Sequence, residues 1–165
     1  MSGKLIGIAW RPARLAPMQT VDTIEISLEA GVAGDHKGAK FKRRAVTILA
    51  REDWEAALAQ LATDGDEGAL GLDWTVRRAN LLVEGVRLPR AIGATLRVGP
   101  TLLEVTYPTG PCARMEAARK GLLKALHPEW RGGVTCKVIK GGRVSIGDGV
   151  TVVSSPPERH IKLPG

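Results

Sequence analysis

The stretch TLRVGPTLLEVTYPTGPCAR, residues 95–114, carries the clearest indication of the fold. Two runs rich in β-branched and apolar residues, 95–98 and 102–107, flank Gly99-Pro100, and this pattern predicts two strands joined by a tight hairpin. The second strand ends at Tyr107-Pro108, and a helix is predicted from about residue 113 to residue 126. Cys112 is therefore expected at or just before a helix N-terminus.

Further short strands are predicted on both sides of this stretch. A second helix is expected at residues 51–62, where Trp54, Leu58 and Leu61 recur at helical spacing, and a hairpin is expected across Gly141-Gly142. The other predicted strands span residues 4–10, 21–28, 45–49, 80–84, 134–139, 143–146 and 150–153. Roughly eight strands with glycine-rich turns predict a mostly β fold, a partly closed β-barrel with a few helices packed on it.

The chain is expected to form one domain. Its 165 residues are enough to bury a core without disulfides or metals. It has no internal repeat and no Pro- or Ser-rich linker that would divide it. Residues 1–165 are therefore predicted to be a single domain, with residues 155–165 as a loose tail.

The overall charge and the cysteine content limit the classes of function. The net charge of +7 and the pI near 9.8 favour anionic partners. Two cysteines are too few for a secreted disulfide scaffold. No apolar signal core or stretch of membrane-spanning length is present. These observations predict a cytoplasmic protein without a membrane segment.

The two cysteines differ in their surroundings. At a helix N-terminus, free backbone N–H groups and the nearby Arg114 favour a thiolate at Cys112, which suits either a nucleophile or a soft metal ligand. The alternative is an inert small residue in a turn. Cys136 shares a strand face with two valines, which favours a buried structural thiol, although a redox pair with Cys112 stays open.

Two groups of cations could bind an anion. Residues 37–44 (KGAKFKRR) contain five cations in eight residues, and Arg77-Arg78-Ala79-Asn80 directly precedes an apolar strand. Arginine offers paired donors to phosphate, and glycine allows the backbone to approach a ligand closely. A solvated charge run and salt bridges at the barrel rim are the alternatives.

The sequence contains no motif for other common metal-binding, nucleotide-binding or catalytic sites. The three histidines, His36, His127 and His160, have no ligand spacing for zinc. The sequence contains no phosphate-binding loop, no nucleophile elbow and no dinucleotide-binding glycine motif. Hydrolase, nucleoside-triphosphatase and dinucleotide-dependent functions are therefore not predicted.

An ordered set of short segments runs through residues 31–152. The segments are GVAGDH at 31–36, RAVT at 44–47, RANL at 78–81 with Gly85, IGA at 92–94, LEVT at 103–106 leading into GPC at 110–112, RGGV at 131–134, and GRV at 142–144 with IGD at 146–148. No single segment is specific, but the ordered set resembles the molybdenum cofactor sulfurase C-terminal (MOSC) domain family.

The resemblance implies a mostly β barrel that binds the molybdenum cofactor, a molybdopterin dithiolene with a phosphate group. The family's characteristic cysteine falls on Cys112, which would ligate molybdenum or carry a persulfide. Arg78 and Asn80 match the family's arginine–x–asparagine that helps hold the pterin. Four further contacts to the pterin or its phosphate are inferred from charge and location: Thr109, Arg114, Lys40 and Arg44.

The resemblance leaves two roles open: a small molybdenum-dependent oxidoreductase that reduces N-hydroxylated compounds, or a sulfur and cofactor carrier. The chain has no cysteine cluster for an iron–sulfur centre, and pyridoxal phosphate binding is implied only for the family as a whole. Electrons or sulfur are therefore expected from a separate donor protein. After Asp35-His36 the chain has Lys37-Gly38-Ala39 in place of a second histidine or a longer glycine loop, so catalysis itself stays open.

A basic β-barrel that binds nucleic acid without a cofactor is the main alternative. The net charge and the cations of residues 37–44 favour it. The scarcity of aromatics argues against it, because Phe41 and Tyr107 are the only aromatics besides four tryptophans. A third possibility is a cofactor-free domain kept for protein contacts.

Overall fold

The computed structural model describes residues 2–110 and 112–158. Pro111 of the GPC segment, His160 and the predicted tail beyond residue 158 lie outside the described residues. The strands are β1 (Ser2–Trp10), β2 (Gln19–Thr20), β3 (Thr23–Ser27), β4 (Gly31–Val32), β5 (Val46–Ala50), β6 (Leu81–Glu84), β7 (Thr95–Val98), β8 (Thr101–Pro108), β9 (Val134–Lys140), β10 (Gly142–Ser145) and β11 (Gly149–Ser154). The α-helices are α1 (Arg51–Thr63), α2 (Ala113–Ala118) and α3 (Leu122–Leu126). Short 3-10 helices span Lys42–Arg44, Glu67–Gly71, Trp74–Arg77 and Pro128–Trp130.

Seven strands close into a barrel in the order β1-β11-β7-β8-β9-β5-β6, and β6 pairs back with β1. Only the β5–β6 pair is parallel among these described strands. Parallel neighbours need a crossover connection, and α1 lies within the connection between β5 and β6. The predicted mostly β barrel with a few helices is confirmed. The barrel was expected to be partly closed, but it closes completely, which leaves its seven strands without a free edge.

The two glycine-based hairpin predictions had different outcomes. The hairpin around Gly99-Pro100 is confirmed, with Val98 opposite Thr101 in β7 and β8. The prediction of a hairpin across Gly141-Gly142 is wrong, because β10 pairs with β3 in a separate three-stranded sheet that also contains β4. A Cβ at Gly141 would lie 2.5 Å from the carbonyl oxygen of Ile26. Gly141 therefore serves close packing between segments rather than a tight turn.

The two predicted helices also differ in outcome. Helix α1 is confirmed, and it buries Trp54, Leu58 and Leu61 in a second core between the barrel and α2–α3. Burial of each such side chain stabilises the fold by roughly 1.5–3 kcal/mol. The single helix predicted at 113–126 is instead two short helices, because Gly121 adopts a left-handed φ of 88° and Arg119 is extended and paired with Asp66.

The strand registers bring several chain segments to one end of the barrel. Ile8 near the end of β1 lies opposite Leu81 at the start of β6, and Pro108 at the end of β8 lies opposite Val134 at the start of β9. The segments after β1 and β8 and before β5, β6 and β9 therefore converge. Among the described residues, no helix is long and apolar enough to cross a membrane.

Candidate functional site

A cavity of about 390 Å³ lies at this end of the barrel. Seven of its lining side chains are lysine or arginine, and Cys112 contributes a thiol. The lining residues are Arg11, Arg14, His36, Lys37, Phe41, Arg44, Thr47, Arg77, Arg78, Ala79, Thr109, Cys112, Arg114, Met115 and Gly132. Such a concave and strongly positive surface favours anionic ligands.

Arg77 is a buried cation that ties two loops of the cavity together. Its Nε donates to the carbonyl of Gly132 at 3.1 Å, and its Nη2 donates to the carbonyl of Thr109 at 2.9 Å. Burial lowers the pKa of Arg77 to about 10, and the Cys112 thiol opposes this shift. The guanidinium is therefore still charged at neutral pH, and it lies within electrostatic reach of the thiol.

Arg78 occupies a strained backbone position beside Arg77. Its φ of 66° lies in the left-handed region, which non-glycine residues rarely adopt and which often marks a functional site. Its Nη2 donates to the carbonyl of Ala16 at 2.6 Å. Within the described part of the chain, two buried polar side-chain atoms have no hydrogen-bond partner, Nε of Arg78 and Oγ1 of Thr109. Both belong to residues that line the cavity.

The segment after β1 gathers guanidiniums from distant parts of the chain. The carbonyl of Arg14 accepts from Nη1 of Arg11, from Nη2 of Arg78 at 3.4 Å and from Nη1 of Arg114 at 3.3 Å. Burial lowers the pKa of Arg11, and the charges of Arg114 and Arg14 act in the same direction. The backbone thus holds three like charges together, and an anion bound among them would relieve their repulsion.

The turn after β4 places Lys37 against this cluster. Asp35 is buried, and its two carboxylate oxygens accept from the backbone N–H groups of Arg11 at 3.0 Å and Lys37 at 3.2 Å. The turn packs closely on the chain before β4, because a Cβ at Gly38 would lie 1.8 Å from the carbonyl oxygen of Ala30. Burial, together with the charges of Arg11 and Arg44, lowers the pKa of Lys37 to about 8 from its ordinary 10.5.

Lys37→Met is expected to stabilise the protein at pH 7 by about 1–2 kcal/mol, after an allowance for the partial exposure of this side chain. Since the folded-state pKa lies below the unfolded one, the penalty of the charged amine is complete below pH 8 and disappears between pH 8 and 10.5. Denaturant unfolding at pH 7 and pH 10 measures the change. Lys140→Met, at an exposed strand end, is the control with the same loss of charge. Equal effects of the two substitutions would contradict this account.

The two cysteines lie in different environments. Cys112 is exposed and directly precedes α2, and its carbonyl accepts from the backbone N–H of Met115 at 2.8 Å. Cys136 is buried in β9, opposite Val46 and Val105, and burial raises the pKa of its thiol. The prediction of a buried thiol at Cys136 is confirmed, and the accessible thiol is Cys112.

Most of the sequence-predicted site residues line the cavity, but two do not. Cys112, Arg78, Thr109, Arg114 and Arg44 line it. Lys40 is exposed, and neither Lys40 nor Asn80 is among the described residues of the lining.

Asn80 is engaged inside the barrel wall. Its Oδ1 accepts from the backbone N–H and the hydroxyl of Thr47, both at 3.0 Å, and its Nδ2 donates to the carbonyl of Ala9 at 3.1 Å. The side-chain amide therefore links β1 and β5 to the start of β6. In this structure Asn80 supports the strands that surround the cavity.

Four cations of the lining were not predicted as site residues: Arg11, Arg14, Lys37 and Arg77. Arg11 and Arg14 had a usable signal, since they directly follow the first strand. Lys37 and Arg77 belong to the two cation groups at residues 37–44 and 77–80, but nothing in the sequence set them apart from the other cations of these groups. Within the described ranges, no three histidine, cysteine or acidic side chains gather where they could hold a metal ion.

The fold and the cavity define a class of protein, a closed β-barrel that presents one accessible thiol in a cationic cavity. The model of the MOSC domain matches residues 33–151, most of the chain, so the protein belongs to the MOSC domain family. This family is associated with proteins related to the molybdenum cofactor. No curated protein matches the sequence.

Solved structures of similar fold include three bacterial proteins. The YuaD protein from Bacillus subtilis is 15% identical, with a TM-score of 0.72 and coverage of 91% of this chain and 94% of that chain. YiiM from Escherichia coli is 20% identical, with a TM-score of 0.68 and coverage of 94% and 72%. YiiM from Geobacillus stearothermophilus is 13% identical, with a TM-score of 0.68 and coverage of 92% and 75%. Identities this low establish a common fold and nothing finer.

Proposed function

We propose that this protein binds the molybdenum cofactor in the cavity at the end of the barrel, with Cys112 as the thiolate ligand of the metal. The observation that carries the proposal is the combination of one accessible thiol with seven cationic side chains around a single cavity. A thiolate is a soft ligand that suits molybdenum, and clustered cations suit the phosphate of the pterin.

Two polar atoms of the cavity residues lack a hydrogen-bond partner in the described part of the chain, and these atoms suit the phosphate of the molybdenum cofactor. Nε of Arg78 and Oγ1 of Thr109 are buried without a partner among the described residues. A buried polar atom without a partner costs about 1–3 kcal/mol, so a ligand that supplies oxygen atoms to both would recover that energy. A pterin phosphate offers several such acceptors, and Arg114 and Arg44 lie in the same lining.

The protein supplies few metal ligands of its own in the described ranges, where no cluster of three His, Cys, Asp or Glu side chains occurs. A metal bound through Cys112 would therefore arrive with most of its ligands, as it does in a pterin dithiolene. Arg77 would hold the loop with Thr109 in place and keep a positive charge near the Cys112 sulfur. When bound, the cofactor supplies a centre for two-electron chemistry.

Two roles follow from such a site. A small oxidoreductase would reduce N-hydroxylated compounds with electrons from a separate reductase, and a carrier would pass on the cofactor or a sulfur atom held on Cys112. Both roles need Cys112 accessible, and Cys112 is exposed. The oxidoreductase also needs a partner protein that donates electrons, and a sulfur carrier needs one that donates sulfur.

Molybdenum and pterin content of protein from a cofactor-producing host tests the proposal. We expect about one molybdenum per wild-type chain and a loss of at least tenfold in Cys112→Ala, because the metal loses its only protein thiolate. Cys136→Ala is the matched control, and it should keep the metal while losing about 1 kcal/mol of stability. Wild-type protein without molybdenum and pterin, or loss of the metal in Cys136→Ala alone, would refute the assignment.

A further inference from the structure

Lys37 stands apart from the other cations of the cavity. Its side chain is partly buried in the lining, and within the described residues its Nζ makes no hydrogen bond or ion pair. The carboxylate of Asp35, whose charge acts on this amine, accepts from the backbone N–H of Arg11 with one oxygen and from that of Lys37 itself with the other. Lys37 therefore lines the cavity with an amine that has no fixed partner among the described residues.

Partial burial and the surrounding charges shift this amine toward its neutral form. The charged groups that act on it are Arg11, Arg44, Arg77 and Asp35, and His36 adjoins it in the chain. Partial burial, together with three guanidiniums against one carboxylate, disfavours an ammonium ion. The pKa of about 8 agrees with this arrangement. Lys37 therefore has more free amine at neutral pH than a lysine with the ordinary pKa.

We propose that Lys37 forms an imine with small aldehydes that carry a phosphate group. A free amine in a cavity rimmed by arginines combines a nucleophile with an anion-binding surface. Phosphate is the anion that fits best, because its several oxygens can accept from more than one guanidinium and from the unpartnered atoms of Arg78 and Thr109. A cavity of about 390 Å³ suits a small molecule.

The reaction is balanced without an oxidant or reductant. The lone pair of Nζ forms a bond to the carbonyl carbon, and the carbonyl oxygen takes up a proton. The resulting carbinolamine loses its hydroxyl group with one proton from nitrogen as water, which leaves a carbon–nitrogen double bond. Addition of cyanoborohydride in the experiment delivers a hydride to the imine carbon and fixes the product as a secondary amine.

This activity goes beyond cofactor binding, although both use the same cavity. It requires the amine of Lys37 and the surrounding cations, whereas metal binding requires the thiolate of Cys112. Mass spectrometry of protein without added cofactor measures imine capture directly. The outcome is therefore independent of molybdenum content.

The test incubates the protein with glycolaldehyde phosphate and cyanoborohydride at pH 7 and maps the adducts on peptides. We expect Lys37 to be modified at least about tenfold more than any other lysine. Lys37→Arg keeps the charge but offers no free amine, so the main adduct should disappear. Lys140→Arg, at an exposed strand end, is the matched control and should keep the adduct at Lys37.

Uncharged glycolaldehyde separates the anion site from simple amine reactivity. We expect it to modify Lys37 at least about tenfold less than its phosphate ester does, since it gains nothing from the guanidiniums. Equal modification by the two aldehydes, or even labelling of all lysines, would overturn the proposal. Unfolding curves of Lys37→Arg that match wild type show that a lost adduct reflects the missing amine.

Discussion

Asn80→Ala is expected to lower the free energy of unfolding by about 3 kcal/mol, a loss large enough to reduce Tm by roughly 6–12 °C in a chain of this size. The substitution leaves the carbonyl of Ala9 and the backbone N–H and hydroxyl of Thr47 without the partners they have on the side-chain amide. These groups are buried in the barrel wall, so water cannot simply replace the amide. Denaturant unfolding of the cofactor-free protein measures the effect.

Thr47→Val provides the comparison for Asn80→Ala. It removes the hydroxyl but keeps the backbone N–H that donates to Oδ1 of Asn80, so a loss of about 1–2 kcal/mol is expected. The double variant should lose less than the sum, because both single changes act on one network. If Asn80 instead serves only a ligand, Asn80→Ala would leave the unfolding curve unchanged and weaken only cofactor retention.

The strands were predictable where local patterns and tertiary pairing agree. β-branched residues on both sides of Gly99-Pro100 indicate two strands and their turn, and β7 and β8 do pair in that way. The pattern around Gly141-Gly142 has the same local features, yet β10 pairs with β3, more than a hundred residues earlier in the chain. Local sequence indicates that a strand exists but does not identify its partner when closure of a barrel decides the pairing.

Local sequence predicts the neighbours of a residue even less well at the candidate site. Cys112 could be selected from its local context, but the guanidiniums around it come from distant segments. Arg114 donates to the carbonyl of Arg14 across one hundred residues of sequence, and Arg78 reaches the same carbonyl. Asn80 was selected because it matches the arginine–x–asparagine motif of the family. Its hydrogen bonds to the strands could not be predicted, because they form only when β1 and β5 lie beside it.

Gly38→Ala is expected to lower the free energy of unfolding by about 3 kcal/mol and to disturb the cavity in the same step. The φ of Gly38 is ordinary, so the effect is steric rather than conformational. The new Cβ would lie 1.8 Å from the carbonyl oxygen of Ala30 and 3.2 Å from Cα of Gly31. Both neighbours are backbone, so neither can turn aside, and the turn that carries Asp35 and Lys37 must move away.

Gly71→Ala is the matched control for Gly38→Ala, since an added Cβ there meets nothing within 4 Å and its φ is also ordinary. We expect it to change stability by less than about 0.5 kcal/mol or to stabilise slightly, because alanine restricts the unfolded chain. Denaturant unfolding of both variants separates the contact from the general effect of a methyl group. Calorimetric titration with inorganic phosphate should show at least tenfold weaker binding in Gly38→Ala alone, because displacement of the turn separates Lys37 from Arg11 and Arg44. Wild-type stability and phosphate affinity in Gly38→Ala would mean that the turn does not pack against Ala30 and does not hold the cationic cavity together.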